Sequence, residues 1–219
     1  MKTRSYNQLC GLAIALDIVG ERWTMLIIRE LIGGPQRFTD LMVGLPGIST
    51  NLLTERLKGL EQQGVIARRT LPPPAASTVY TLTPVGQALK PTLLELGNWG
   101  SQFVGEADAA CQMLHLGSYT LTPQTFFRPA LAQGLDKTYA LHIGGETQTV
   151  RIVAGTIDVW QGEPAHPDMA LHAEVPVYLG LLTRQIDPQA ALTDGLVCVD
   201  GDEAELFRYI MLCGMPIDE

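Results

Sequence analysis

Only four cysteines occur in 219 residues, and Cys10, Cys111, Cys198 and Cys213 lie far apart. They make neither a C-x-x-C pair nor a zinc-finger spacing, so reduced thiols are expected. His115, His142, His166 and His172 likewise lack metal-site spacing, and no metal is assigned. The chain has no G-x-S-x-G, no P-loop, no dinucleotide fingerprint and no convincing pair of carboxylates. No catalytic residue and no cofactor follows from it. Long apolar runs are also missing. The stretches from Leu12 to Val19 and from Met25 to Ile32 are interrupted or flanked by Asp17, Glu21, Arg22, Arg29 and Glu30. Neither approaches the ~18 uninterrupted apolar residues of a membrane span. The first eight residues lack the apolar core and cleavage site of a signal peptide, so a cytoplasmic protein is expected.

Positive charge is scarce overall, with 15 Lys and Arg against 23 Asp and Glu and a net charge of −8. It is also unevenly placed. Residues 1–105 hold ten basic and seven acidic side chains, a balance of +3, and the remainder holds five and 16, a balance of −11. Two domains are therefore expected, 1–105 and 106–219, with only the first suited to a polyanion.

What is present centres on Arg37 to Gly64. Phe38, Leu41 and Met42 recur at helical spacing, Leu45-Pro46-Gly47 breaks the period, and a second helix begins at a Ser49 or Thr50 cap. That helix carries Leu52, Leu53, Leu57 and Leu60 on one side and Asn51, Thr54, Arg56 and Lys58 elsewhere. At about 15 residues it is roughly 22 Å long, a fit for a DNA major groove. Strand residues around Val65, Ile66, Arg68 and Arg69, a Pro72-to-Ala76 tip and Thr78 to Leu82 make a hairpin behind it. Helix, turn, helix and wing together form a winged helix-turn-helix. Arg37, Ser49, Thr50, Asn51, Thr54, Arg56, Lys58, Arg68 and Arg69 are its candidate DNA contacts. Asn51 suits bidentate pairing with adenine, Ser49 and Thr50 suit phosphate at a helix start, and Arg56 has Glu55 as an alternative partner.

On either side lie further helices. Asn7 to Val19 and Trp23 to Ile32 are expected to be helical, with Cys10 inside the first among Leu9, Leu12 and Ala13. Thr83-Pro84 opens a long helix that Pro91 kinks, and its stripe of Val85, Leu89, Leu93, Leu94, Leu96 and Trp99 asks for a covering partner, most simply a second copy. A connector from Glu106 and a Thr122-Pro123 cap opening a helix over Gln124 to Gln133 come next. The period then changes to two. Strands around Tyr139 to Ile143, Thr149 to Val153 and Ile157 to Trp160 form an antiparallel meander. A strand over Met169 to Ala173, a helix from Val175, a short helix from Asp187, a strand at Leu196 and a last helix with Leu206, Ile210 and Met211 inward complete an α+β half.

The first hundred residues resemble the HxlR family of winged-helix regulators, relatives of the MarR group. The resemblance rests on Gly20 to Thr24, Leu26 to Leu31, Arg37 to Leu41, Leu45 to Ser49, Leu53 with Arg56-Leu57, Leu60-Glu61, Gly64 to Ile66, Tyr80 to Thr83, Gly86 and Trp99-Gly100. It implies a homodimer whose recognition helix and wing bind a short inverted repeat in double-stranded DNA. Several members keep a redox-sensing cysteine near the N-terminal helix, which points to Cys10, although Gly11 stands where those members commonly have proline. The second half resembles a sterol-carrier-protein-like domain in its meander, in Leu171 to Leu182 and in Leu196 to Asp202. That implies an apolar tunnel, for which Phe126, Phe127, Tyr139, Trp160 and Tyr178 are the candidate lining. The expectation is a dimeric DNA-binding regulator, a repressor, controlled by an apolar or amphipathic small molecule and without contact to a membrane. A lipid carrier, or a redox or electrophile sensor built on Cys10, is the alternative.

Overall fold

Ser49, Thr83 and Asp187 cap helix starts with their side chains. Ser49 Oγ accepts from the Leu52 N–H at 3.3 Å, Thr83 Oγ1 from Gly86 at 3.2 Å and Asp187 Oδ1 from Ala190 at 2.9 Å. Each takes up an amide that helix geometry leaves without an acceptor. The computed structural model describes residues 5–72, 76–103 and 116–215. The chain divides into two compact units, Met1–Leu93 and Leu94–Glu219.

The first unit contains α1 (Gly11–Val19), α2 (Thr24–Ile32), α3 (Phe38–Gly44) and α4 (Thr50–Gln62). Its antiparallel sheet has the order β1 (Gln36–Arg37), β3 (Thr78–Leu82), β2 (Ile66–Thr70). Ile27, Leu31, Leu41, Leu53, Leu57 and Leu60 are buried in its core. Two glycines are fixed by this packing. Gly47, at φ +90°, turns the chain between α3 and α4, a backbone conformation that disfavours side chains. At Gly86 a Cβ would lie 2.2 Å from the Val65 carbonyl oxygen, so only glycine lets the start of α5 (Pro84–Gln87) approach the wing.

Several expected boundaries move. The first helix starts at Gly11, not Asn7, because Asn7 sits at φ 52° and Asp17 holds Ser5 Oγ at 2.7 Å and the Tyr6 N–H at 2.9 Å, folding that segment back. The single long helix expected from Pro84 is interrupted between Gln87 and Lys90, and Pro91 lies in the first turn of α6 (Lys90–Ser101), where a missing N–H is tolerated. The strand β1 was not anticipated, since two residues carry no period. Residues 73–75 of the wing tip and 106–115 of the expected connector lie outside the described residues.

In the second unit five strands run β6 (Thr156–Gln161), β5 (Glu146–Val153), β4 (Asp136–Ile143), β7 (Met169–Ala173), β8 (Val197–Gly201). All neighbours are antiparallel except β4 and β7. Registers Tyr139↔Val150↔Val159 and Leu141↔Leu171↔Val199 put the apolar residues on one face. That face shares a core with Tyr178, Leu181 and Leu182 of α8 (Val175–Leu182) and Leu206, Tyr209 and Ile210 of α10 (Ala204–Cys213). A short α9 (Pro188–Thr193) precedes β8. Thr122-Pro123 does not open a helix but lies within α7 (Leu116–Thr125), and a 3-10 turn over Pro129–Ala132 replaces the helix expected to Gln133. Arg128 precedes a proline and is extended, φ −107°, ψ 91°, which prevents a helix from passing through it. Met211, expected inward, is half-exposed, because Leu206, Tyr209, Ile210 and Cys213 fill the buried arc of α10.

One buried charge joins α10 to the sheet. Glu205 accepts from Tyr139 Oη at 2.9 Å, pairs with Lys137 Nζ at 2.8 Å and contacts Arg208. Burial alone raises its pKa, but bonds from Lys137, Tyr139 and Arg208 outweigh that and hold it below the ordinary carboxylate value. A lowered folded-state pKa gives stability that is present above the unfolded value and is lost as pH falls through the folded one. Glu205→Ala is predicted to cost about 3 kcal/mol in urea unfolding at neutral pH, because it leaves Lys137 without its nearest anion. The difference from wild type should shrink below about pH 4, and a difference that does not change with pH would refute the role given to this carboxylate.

Candidate nucleic-acid interface

The orientation of α4 follows from one buried row. Leu53, Leu57 and Leu60 are at most 2 % exposed, so Asn51, Thr54, Glu55 and Lys58 on the remaining arc are left in solvent. At 13 residues the helix is about 20 Å long. Ser49 takes the Leu52 amide with its hydroxyl and the Leu53 amide, at 2.9 Å, with its carbonyl. The N–H groups of Thr50 and Asn51 remain without an intrahelical acceptor, and the positive end of the helix dipole lies there. Thr54 Oγ1 donates to the Thr50 carbonyl at 2.8 Å, which fixes its hydroxyl against the helix while the residue stays exposed.

Arg56 departs from its expected place. Its guanidinium bonds Glu21 at 3.1 Å, Glu55 at 3.0 Å and the Arg22 carbonyl at 3.4 Å, and its side chain is only 17 % exposed. It ties α4 to the turn before α2 rather than joining Asn51 and Lys58 on the open arc. The Glu55 alternative was visible from adjacency; Glu21, 35 residues away, was not.

On the small sheet the registers Arg37↔Val79 and Arg69↔Val79 place Arg37 and Arg69 on one face, on either side of Val79. Two interstrand steps separate them by about 10 Å. Arg68 belongs to the opposite face, with its guanidinium 5.8 Å from the Tyr80 ring centre. All three arginines are exposed. The Arg37 amide donates to Asp40 at 2.9 Å, so its main chain caps α3 while its side chain stays on the sheet.

Cys10 is not a core residue within a helix. It is the exposed N-cap of α1, and the backbone amides of Ala13 and then Leu12 hold its thiol below the ordinary cysteine range. Cys198 is also exposed, whereas Cys213 is buried and its thiol is pushed up by desolvation. Next to Cys10, Leu9, Leu12 and Leu16 are exposed, leaving the apolar side of α1 uncovered in a single chain.

The five aromatic candidates of the second unit do not form one lining. Tyr139 and Tyr178 are fully buried core residues whose hydroxyls bond Glu205, at 2.9 Å, and Tyr209, at 2.6 Å. Trp160 follows inward-facing Val159 and so occupies the other face of the sheet, 43 % exposed. Phe127 packs partly buried against the core, and Phe126 is half-buried.

On that other face, the parallel pairing of β4 with β7 brings His142 and His172 together, ring centres 4.3 Å apart and 8° from parallel. His172 Nε2 lies 3.0 Å from Asp200 and His142 Nε2 3.6 Å from Glu163. No sequence spacing signals this pair, 30 residues apart. Among the described residues no group of three or more His, Cys, Asp or Glu side chains is arranged to hold a metal ion. Nor is any helix among them long and apolar enough to cross a membrane.

Two families match the chain one after the other. A family described as HxlR-like helix-turn-helix matches residues 18–108, and the SCP-2 sterol transfer family matches residues 124–212. The HTH-type transcriptional regulator YodB of Bacillus subtilis (strain 168) is 38 % identical over 107 residues, 48 % of this chain and 96 % of that protein. YvaP of the same organism, an uncharacterized HTH-type transcriptional regulator, is 40 % identical over 90 residues, 41 % of this chain and 83 % of its own. The reduced form of B. subtilis YodB superposes with a TM-score of 0.39 at 39 % identity, over 44 % of this chain and 95 % of that one. Both relatives bear the name of HTH-type transcriptional regulators. With the helix-turn-helix, the wing and the five-stranded second unit all in place, the chain belongs to the HxlR-like helix-turn-helix family of transcriptional regulators and carries an SCP-2 sterol transfer family domain behind it.

Proposed function

We propose that this protein is a cytoplasmic, dimeric repressor that reads a short inverted repeat in duplex DNA and is released or retained by an apolar or amphipathic effector of its C-terminal unit. The observation that carries the reading is the solvent-facing row Asn51, Thr54 and Lys58, opposite the buried leucines of α4. Asn51 reads a base, Ser49 and Thr50 seat a phosphate at the helix start, and Arg37 with Arg69 contacts the backbone as a spaced pair. Arg68 has a minor part. Arg56 holds α4 in position through Glu21 and Glu55. The uncovered apolar side of α1 supports a twofold partner, which doubles these contacts and fixes half-site spacing. Effector control follows from an SCP-2 domain joined to a DNA-binding unit, and works only through different affinities for DNA-competent and incompetent states.

Cys10 supports a second reading, as a thiol that senses oxidants or electrophiles, because it is both exposed and held toward the thiolate.

Fluorescence anisotropy with the DNA upstream of the protein's own gene tests the first reading. Asn51→Ala should weaken specific binding by about 1–3 kcal/mol, whereas Arg56→Ala, which removes a positioning contact and no DNA contact, should weaken it by less than about 1 kcal/mol and leave the salt slope unchanged. Lys58→Ala should reduce the salt slope by about 2 for a dimer, one phosphate per subunit. Absence of any salt-sensitive, sequence-specific binding would sink the proposal. In sedimentation, Leu9→Asp combined with Leu12→Asp should convert a dimer to a monomer; an unchanged mass removes α1 from the interface. Alkylation followed by mass spectrometry should modify Cys10 at a lower pH than it modifies an unstructured cysteine peptide, and should spare Cys213 in the folded protein. If Cys10→Ser leaves the response of DNA binding to oxidant unchanged, the sensor reading is wrong.

A further inference from the structure

Two buried side-chain polar atoms described in the second unit lack a hydrogen-bond partner, Arg184 Nε and Gln124 Oε1. The first is accounted for locally: Arg184 closes on Gly214, where a Cβ would lie 2.9 Å from Nε, while Nη2 of the same group donates to the Ile210 carbonyl at 2.8 Å. Gln124 has no such account. It is 6 % exposed and lies on α7, and its Nε2 donates to the Thr120 carbonyl at 2.9 Å. Gln148, 2 % exposed, reaches the same residue from β5, with Nε2 donating to Thr120 Oγ1 at 2.6 Å. Gln148 alternates with Val150 and Ile152 on the helix-covered face of the sheet, so two amides converge between α7 and the sheet. The Gln124 amide cannot turn over to escape, because its oxygen would then meet the Thr120 carbonyl.

An acceptor taken out of water and left unpaired costs the full desolvation of that group, and a donor supplied to it restores the loss. Pro123 inside α7 removes one amide from the helical ladder at the residue next to Gln124, so the helix that hides this oxygen is weakened at that point. We propose that the C-terminal unit takes an uncharged amphipathic molecule whose head group, an alcohol or an amide N–H, donates a hydrogen bond to Gln124 Oε1, with α7 shifting to admit it. This rests on the effector-binding reading above and names the ligand class. A carboxylate has only acceptors and an ester has no donor, so neither satisfies this oxygen, and the anion also loses its own hydration.

Calorimetry of the full chain with 1-decanol, decanoate and methyl decanoate at neutral pH, each below its aggregation threshold, tests the assignment. Wild type should bind decanol roughly tenfold or more tightly than either analogue. Gln124→Leu should bring all three within about twofold of one another by weakening decanol alone, and the unliganded variant should melt higher than wild type. Gln124→Met supplies the same comparison should the leucine variant fail to fold. Equal affinities in wild type, or a preference that survives in Gln124→Leu, overturn the head-group assignment while leaving effector binding intact. No binding of any of the three overturns both.

Discussion

The candidate DNA-binding surface depends on where three leucines go. Leu53, Leu57 and Leu60 are removed from water together, and burying side chains of this kind is worth about 1.5–3 kcal/mol each, which fixes α4 in rotation. The polar arc is outward because the apolar arc has no alternative. Ser49 sets where the helix starts, Gly47 lets α3 and α4 meet at their angle, and Arg56 ties α4 to the turn before α2 from the side. Each of these serves the position of Asn51 and Lys58 without needing to touch a partner.

The second unit is built on a different constraint, a sheet with one dry face. Tyr139, Val150, Val159 and Leu171 share that face with α8 and α10, and Glu205 is tolerated there because Lys137, Tyr139 and Arg208 surround it. The opposite face carries Trp160, His142 and His172, so residue types that look equivalent along the strands serve different environments. A period of two assigns faces but does not say which face is covered.

Much of the fold was legible in sequence. The leucine row and the Ser49 cap gave α4, alternation gave β4 to β6, and Thr83-Pro84 gave the end of the wing. The misses have physical causes. Thr122-Pro123 has the same chemistry as Thr83-Pro84, yet the first lies inside α7, because helix boundaries here are decided by packing rather than by the dipeptide. Cys10 was misplaced because Asn7 adopts a left-handed backbone and Asp17 holds the segment ahead of it, neither of which has an apolar signature. Arg56 with Glu21, and His142 with His172, are pairs that only tertiary structure brings together. Among site residues, exposure on α4 followed from periodicity, whereas the face occupied by Arg37 and Arg69 required the strand register.

The order β6-β5-β4-β7-β8 leaves β6 and β8 as the sheet's two rims. β6 carries Asp158; β8 carries Asp200 and ends at Gly201, φ 114°, where a Cβ would meet the Asp168 carbonyl oxygen at 2.9 Å. Acidic side chains on rim strands repel one another when two copies approach edge to edge, and a twisted terminal glycine shortens the ladder on offer. The negative excess of residues 106–219 adds to that repulsion between copies.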